Sequence, residues 1–125
     1  MNELELLTLI ADGETLALEF KGESKKQLSD RELVLVCVCM TNTTAGSLLI
    51  GVEKDGTISG AKPRHGTYTD PSKLSALIRN STMPPIDVVV IGTPHLQRFN
   101  IGGASTQVSK HYKPYRRHLP AAHHG

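Results

Sequence analysis

The sequence predicts an α+β domain: a mixed β-sheet with helices packed on it, in the order αβαββαβ. Three observations carry this. Helical and strand-like apolar periods alternate along the first 92 residues. Gly, Pro, Asn and Asp clusters separate these segments. The chain is 38% apolar and 21% charged, the balance of a globular protein rather than a disordered one. Its 125 residues fit one domain, and the longest strongly apolar run, residues 33–40, is too short to span a bilayer.

Residues 2–11 carry Leu4, Leu7 and Ile10 at helical spacing, with Leu6 and Leu9 beside them, and Asp12-Gly13 ends that helix. Residues 16–20 read as a strand, and residues 22–28 as a polar, Lys-bearing loop. Ser29 followed by Glu32 is a capping box. It opens a helix through Leu33, Val36, Cys37 and Met40 that is apolar nearly all round. A turn at residues 42–46 leads to the apolar run 47–52, the expected central strand. Asp55-Gly56 predicts a hairpin turn with a returning strand over residues 57–61. After the loop 62–69, Asp70-Pro71 is an N-cap with Pro at the first helical position. Leu74, Leu77 and Ile78 line one face of that helix, Pro84-Pro85 follows its end, and residues 86–91 form the last expected strand. Beyond Thr93 no period is evident.

The net charge of +2 conceals a split. Residues 1–92 hold nine Lys/Arg against all twelve Asp/Glu, whereas residues 93–125 hold five Lys/Arg, no acid and five of the six His. The expected organisation is a body over residues 1–92 and a basic, weakly ordered tail over 93–125. Such a tail suits phosphate backbones or a solvated end. Scarce aromatics and no Trp argue against a base-stacking platform. Cys37 and Cys39 lie two apart, too close on a helix to pair and without neighbouring metal ligands, which fits a reducing cytosol. Met1 leads to Glu3 and Glu5 without the basic start of a signal peptide, so a cytoplasmic location is expected. Gly51 and Gly56 have P-loop spacing, but Thr57-Ile58 follows in place of Lys-Ser/Thr.

Glu14 and Glu19 flank the first strand, and Glu53 and Asp55 follow the central one. If those strands are neighbours, several carboxylates could converge on a divalent cation. The alternative is that they balance nearby lysines. Lys21, Lys25 and Lys26 after the first strand, with Lys62, Arg64 and His65 after the hairpin, could grip phosphates or simply be solvated.

Three blocks together resemble the Schlafen/Alba-like (AlbA_2 type) DNA-binding domain family. Residues 14–21 match its E-x-x-x-x-E-F-K opening, residues 41–46 its A-N-T-x-G-G turn, and residues 47–60 its G-x-L-x-I-G-V-x-D-x-G-x-x-x-G hairpin. The match runs from residue 2 to about 92. The resemblance implies a nucleic-acid-binding module, for DNA more than RNA, of a bacterial transcriptional-regulator-like protein. It also implies an alternative, a metal-dependent endoribonuclease using three acids and Mg²⁺ or Mn²⁺. Two of those acids would be Glu14 and Glu19, as metal ligands. The third position falls on Lys54, with Asp55 one residue late. A Lys has no acceptor for a cation, so the enzyme reading is weakened. Ala45 replaces the first Gly of the turn, tolerable if that position does not need positive φ. Because the pattern fades after residue 92, a truncated or frame-altered member is expected. Such a member would be either a module with a free sheet edge, prone to oligomerise, or an inactive remnant.

Overall fold

The capping box at Ser29 is formed in both directions. The Glu32 N–H donates to Ser29 Oγ (3.0 Å) and the Ser29 N–H donates to Glu32 Oε1 (2.9 Å). These bonds hold the Glu32 carboxyl below the usual carboxylate range. In this computed structural model, which describes residues 3–93 and 95–110, the box starts α2 (Asp30–Asn42). That helix crosses between two parallel strands, β1 (Leu18–Lys21) and β2 (Gly46–Ile50). Parallel neighbours need such a crossover, so β1-α2-β2 is one βαβ unit. Before it lies α1 (Glu3–Asp12), closed by Gly13 N–H on the Ile10 carbonyl.

After β2 the chain makes the expected Asp-Gly turn. Its returning arm, however, joins through a Val52–Ile58 bridge, backbone bonds to Gly51, Glu53 and His95, and the Ser59 hydroxyl on Glu53. It is not a strand of the sheet. Then come α3 (Pro71–Asn80), β3 (Thr82–Met83), β4 (Val88–Gly92), β5 (Gln97–Ile101) and β6 (Gln107–Val108). The main sheet runs β1-β2-β5-β4, with β5 antiparallel to both neighbours, while β3 and β6 pair separately. The α+β class with a mixed sheet stands. The place beside β2 goes to β5 rather than to residues 57–61.

The expected boundary at residue 92 meets this strand. β5 lies wholly beyond it, yet Leu48, Phe99 and Val90 sit in register across β2, β5 and β4. Phe99 and Ile101 are buried in the core. Residues 93 and 95–108 thus contribute to the sheet and its margin. The rest of the expected basic tail, residues 111–125 with Lys113, Arg116 and Arg117, lies outside the described residues.

Alternation sorts the sheet into two faces. Leu48, Ile50, Val88, Phe99 and Ile101 pack under α2 and α3 with Leu33, Val34, Cys37, Leu74 and Ile78. Leu18, Phe20 and Leu49 pack on the other face against Leu6 and Ile10 of α1. The expected α1 stripe is therefore corrected: Leu6 and Ile10 go in, while Leu4 and Leu7 are exposed. Both sets have helical spacing, and the apolar surface they meet, Leu18, Phe20, Leu49, Val52 and Leu96, selects between them. The turn before β2 also departs from expectation, because Ala45 does adopt positive φ (58°). The following Gly46 is obligatory, since a Cβ there would overlap the Ala17 carbonyl.

Candidate nucleic-acid interface

Two loops far apart in sequence are tied together by one buried carboxylate. Glu23 is fully buried. Its Oε2 accepts from the Leu28 N–H (2.7 Å) and its Oε1 from the Lys62 N–H (2.7 Å). The Arg64 guanidinium lies 3.4 Å from Oε2 and also reaches the Leu28 carbonyl (2.8 Å) and Asp30 Oδ1 (3.1 Å). Gln27 Nε2 adds bonds to the Lys62 and Pro63 carbonyls. A buried charge needs such saturation, because desolvation is costly without it. The result is that the loop carrying Lys25 and Lys26 is held against the segment carrying Lys62, and all three lysines are exposed.

Of the basic residues singled out from sequence, Arg64 departs from expectation. Its side chain is only 6% exposed and is engaged by Glu23 and Asp30, so it positions the loop. His65 is also internal in role. Its Nδ1 accepts from the Asp70 N–H (2.8 Å), and burial together with Lys73 lowers its pKa from the ordinary value. Lys21 pairs with Glu19 (3.0 Å) on one face of β1. That leaves Lys25, Lys26 and Lys62 as the outward-facing cations of the predicted set.

The acids do not assemble a cation cage. Glu14 Oε2 accepts from the Phe20 N–H (2.8 Å) within β1 and from Lys54 Nζ (3.3 Å), so it bridges β1 to the Asp-Gly turn. Glu19 faces Lys21. Asp55 caps its own turn by accepting from the Thr57 N–H (2.9 Å), which keeps its carboxyl below the usual range. Glu53 accepts from Ser59 Oγ and lies over Gly22, where a side chain would collide with it. Among the described residues no three His, Cys, Asp or Glu groups are placed to hold a metal ion. With the Lys54 ammonium on Glu14 and the Lys21 ammonium on Glu19, this donor set does not fit Mg²⁺ or Mn²⁺.

Glu23, Gln27 and Asp30 were not among the residues singled out from sequence. No local pattern separates Glu23 from a solvated loop acid, because its partner Arg64 lies 41 residues away.

A family model, Schlafen, AlbA_2, matches residues 14–118, which include Glu14, the β1-α2-β2 unit and the whole of β5. The chain belongs to the Schlafen AlbA_2 family. Membership supports nucleic-acid binding in general terms. The crystal structure of the DIP2311 protein from Corynebacterium diphtheriae is similar in fold, with a TM-score of 0.53 at 20% identity. The similarity covers 82% of this chain and 22% of that one, so this AlbA_2 chain spans about a fifth of that protein's length. Among curated proteins no match is found. No helix among the described residues is long and apolar enough to cross a membrane.

Proposed function

We propose that this AlbA_2 domain binds nucleic acid, DNA ahead of RNA, through phosphate contacts from Lys25, Lys26 and Lys62. The observation that carries the reading is the Glu23 clamp, which ties the loop bearing Lys25 and Lys26 to the segment bearing Lys62; we take the three exposed lysines as one ridge. Three cations on a fixed frame can follow a phosphate backbone, and they read no sequence by themselves. The setting that fits is the cytoplasmic module of a transcriptional-regulator-like protein, and two free thiols suit a reducing compartment. The test is titration of labelled duplex DNA, single-stranded DNA and duplex RNA with the protein and its Lys25→Gln/Lys26→Gln/Lys62→Gln variant. The reading expects the variant to lose at least tenfold in affinity for DNA, which corresponds to about 1.4 kcal/mol. Equal affinities for the two proteins would remove it.

Self-association through a sheet edge rests on β4. This outer strand presents Val89 at 61% exposure and has no charged residue between Val88 and Gly92. An uncharged apolar edge is a template for a second strand. Sedimentation over a hundredfold concentration range should show a dimer that Val89→Lys abolishes. A monomer throughout would count against it.

A further inference from the structure

A cavity of about 450 Å³ lies beside the proposed ridge, between the segment 61–69 and the junction of β4 with β5. Its volume falls in the range of small-molecule sites. Ala61, Pro63, Pro71 and Gly92 give it apolar walls, and Tyr68, 59% exposed, supplies an aromatic ring. Among the described residues no charged side chain lines it. Gln97 lines it too. Its Nε2 donates to Thr69 Oγ1 (3.1 Å), while its Oε1 is buried without a hydrogen-bond partner. A buried carbonyl oxygen left unpaired is costly, and a ligand amino group would supply the missing donor. Lys62 sits in sequence between two wall residues, Ala61 and Pro63.

We propose that this cavity receives one unstacked nucleobase bearing an exocyclic amino group, from a strand whose phosphate is held by Lys62. The strand part rests on the phosphate-binding reading above; the base part rests on the cavity alone. An uncharged, partly apolar space lined by Thr and Tyr hydroxyls and the Gln97 amide suits a base and disfavours a phosphate. One Tyr serves a single base, which agrees with the shortage of aromatics for a stacking platform.

Gly92 offers a clean way to close the cavity. It lies opposite Gln97 in the sheet, and an added Cβ would meet nothing nearer than Pro71 Cγ at 3.8 Å. Gly92→Val therefore fills the space without backbone strain. The experiment titrates the full chain with adenosine and with purine riboside, which lacks the amino group, reading the backbone amide resonances of Thr69, Gly92 and Gln97. Saturable shifts with adenosine are expected, about tenfold weaker with purine riboside, as the loss of a hydrogen bond to a buried acceptor implies. Gly92→Val and Tyr68→Ala should each abolish or weaken them, and the melting temperature checks that each variant folds. A single-stranded adenine oligonucleotide should bind more tightly than the same strand with one abasic site. No shift with adenosine, or shifts undiminished in both variants, overturns the cavity assignment even if DNA binding still depends on the three lysines. Equal binding of intact and abasic strands, with adenosine still bound, overturns the strand assignment. Adenosine binding in the protein whose DNA affinity ignores those lysines leaves the cavity standing and removes the phosphate reading.

Discussion

Glu23→Gln is the perturbation to which the architecture is most exposed. The carboxylate accepts from two backbone N–H groups and faces a guanidinium, all out of water. A glutamine can accept at one end only. Its amide nitrogen would face a backbone N–H, leaving a buried donor unpaired, and Arg64 would lose its fully buried counter-charge. Removing one partner of a buried pair costs about 3–5 kcal/mol. Asp30 keeps some compensation for Arg64 but is itself 40% exposed, which places the loss at the lower end, about 3 kcal/mol. For a chain of this size that lowers the melting temperature by roughly 10 °C. Urea unfolding followed by circular dichroism measures it, with Glu23→Gln/Arg64→Met completing a cycle. Methionine removes the stranded charge, so the double variant should be more stable than the two single losses added. A loss below about 1 kcal/mol, or simple additivity, would refute the claim that this pair holds the two loops together.

Four further outcomes are expected. Ala45→Gly should stabilise by about 0.5–1 kcal/mol in the same assay, because relief of a left-handed alanine outweighs the added freedom of the unfolded chain. Gly46→Ala should cost more than about 2 kcal/mol. The lowered pKa of His65 means that the unfolded state binds its proton first as pH falls. The stabilisation from the Asp70 N–H bond is thus complete above the ordinary His pKa and is lost as pH falls through the lowered folded value. His65→Asn should flatten that part of the pH–stability curve, and an unchanged curve would contradict it. A thiol reagent at pH 8 should label Cys39 quickly and Cys37 only on unfolding, since burial pushes the Cys37 thiol up to about 12; two equally fast thiols would count against this packing.

Local chemistry made much of this fold readable. Ser29 and Glu32 announce α2 because both bonds of the box lie within four residues, and Asp70-Pro71 announces α3 for a similar reason. Competition between distant segments was not readable. Gln97-Arg98-Phe99-Asn100-Ile101 alternates as a strand should, but only Phe99 and Ile101 are apolar, and five residues carry too little pattern to stand out. Its polar positions become intelligible only opposite β2, where Arg98 Nε and Asn100 Oδ1 meet Ser47 Oγ. The arm 57–61 has the better local signal and still loses the edge of β2 to β5. The site divides in the same way. Lys25, Lys26 and Lys62 were visible as charges. The Glu23–Arg64 pair that ties their two loops together was not, because a buried ion pair between two loops leaves no periodic trace.

The salt dependence of DNA affinity tests the central claim most directly. Each phosphate neutralised contributes about 0.9 to the slope of log K against log salt on duplex DNA. The three-lysine ridge predicts that replacing Lys25, Lys26 and Lys62 by Gln makes that slope shallower by roughly 2.7. A slope unchanged by the replacement would contradict the account.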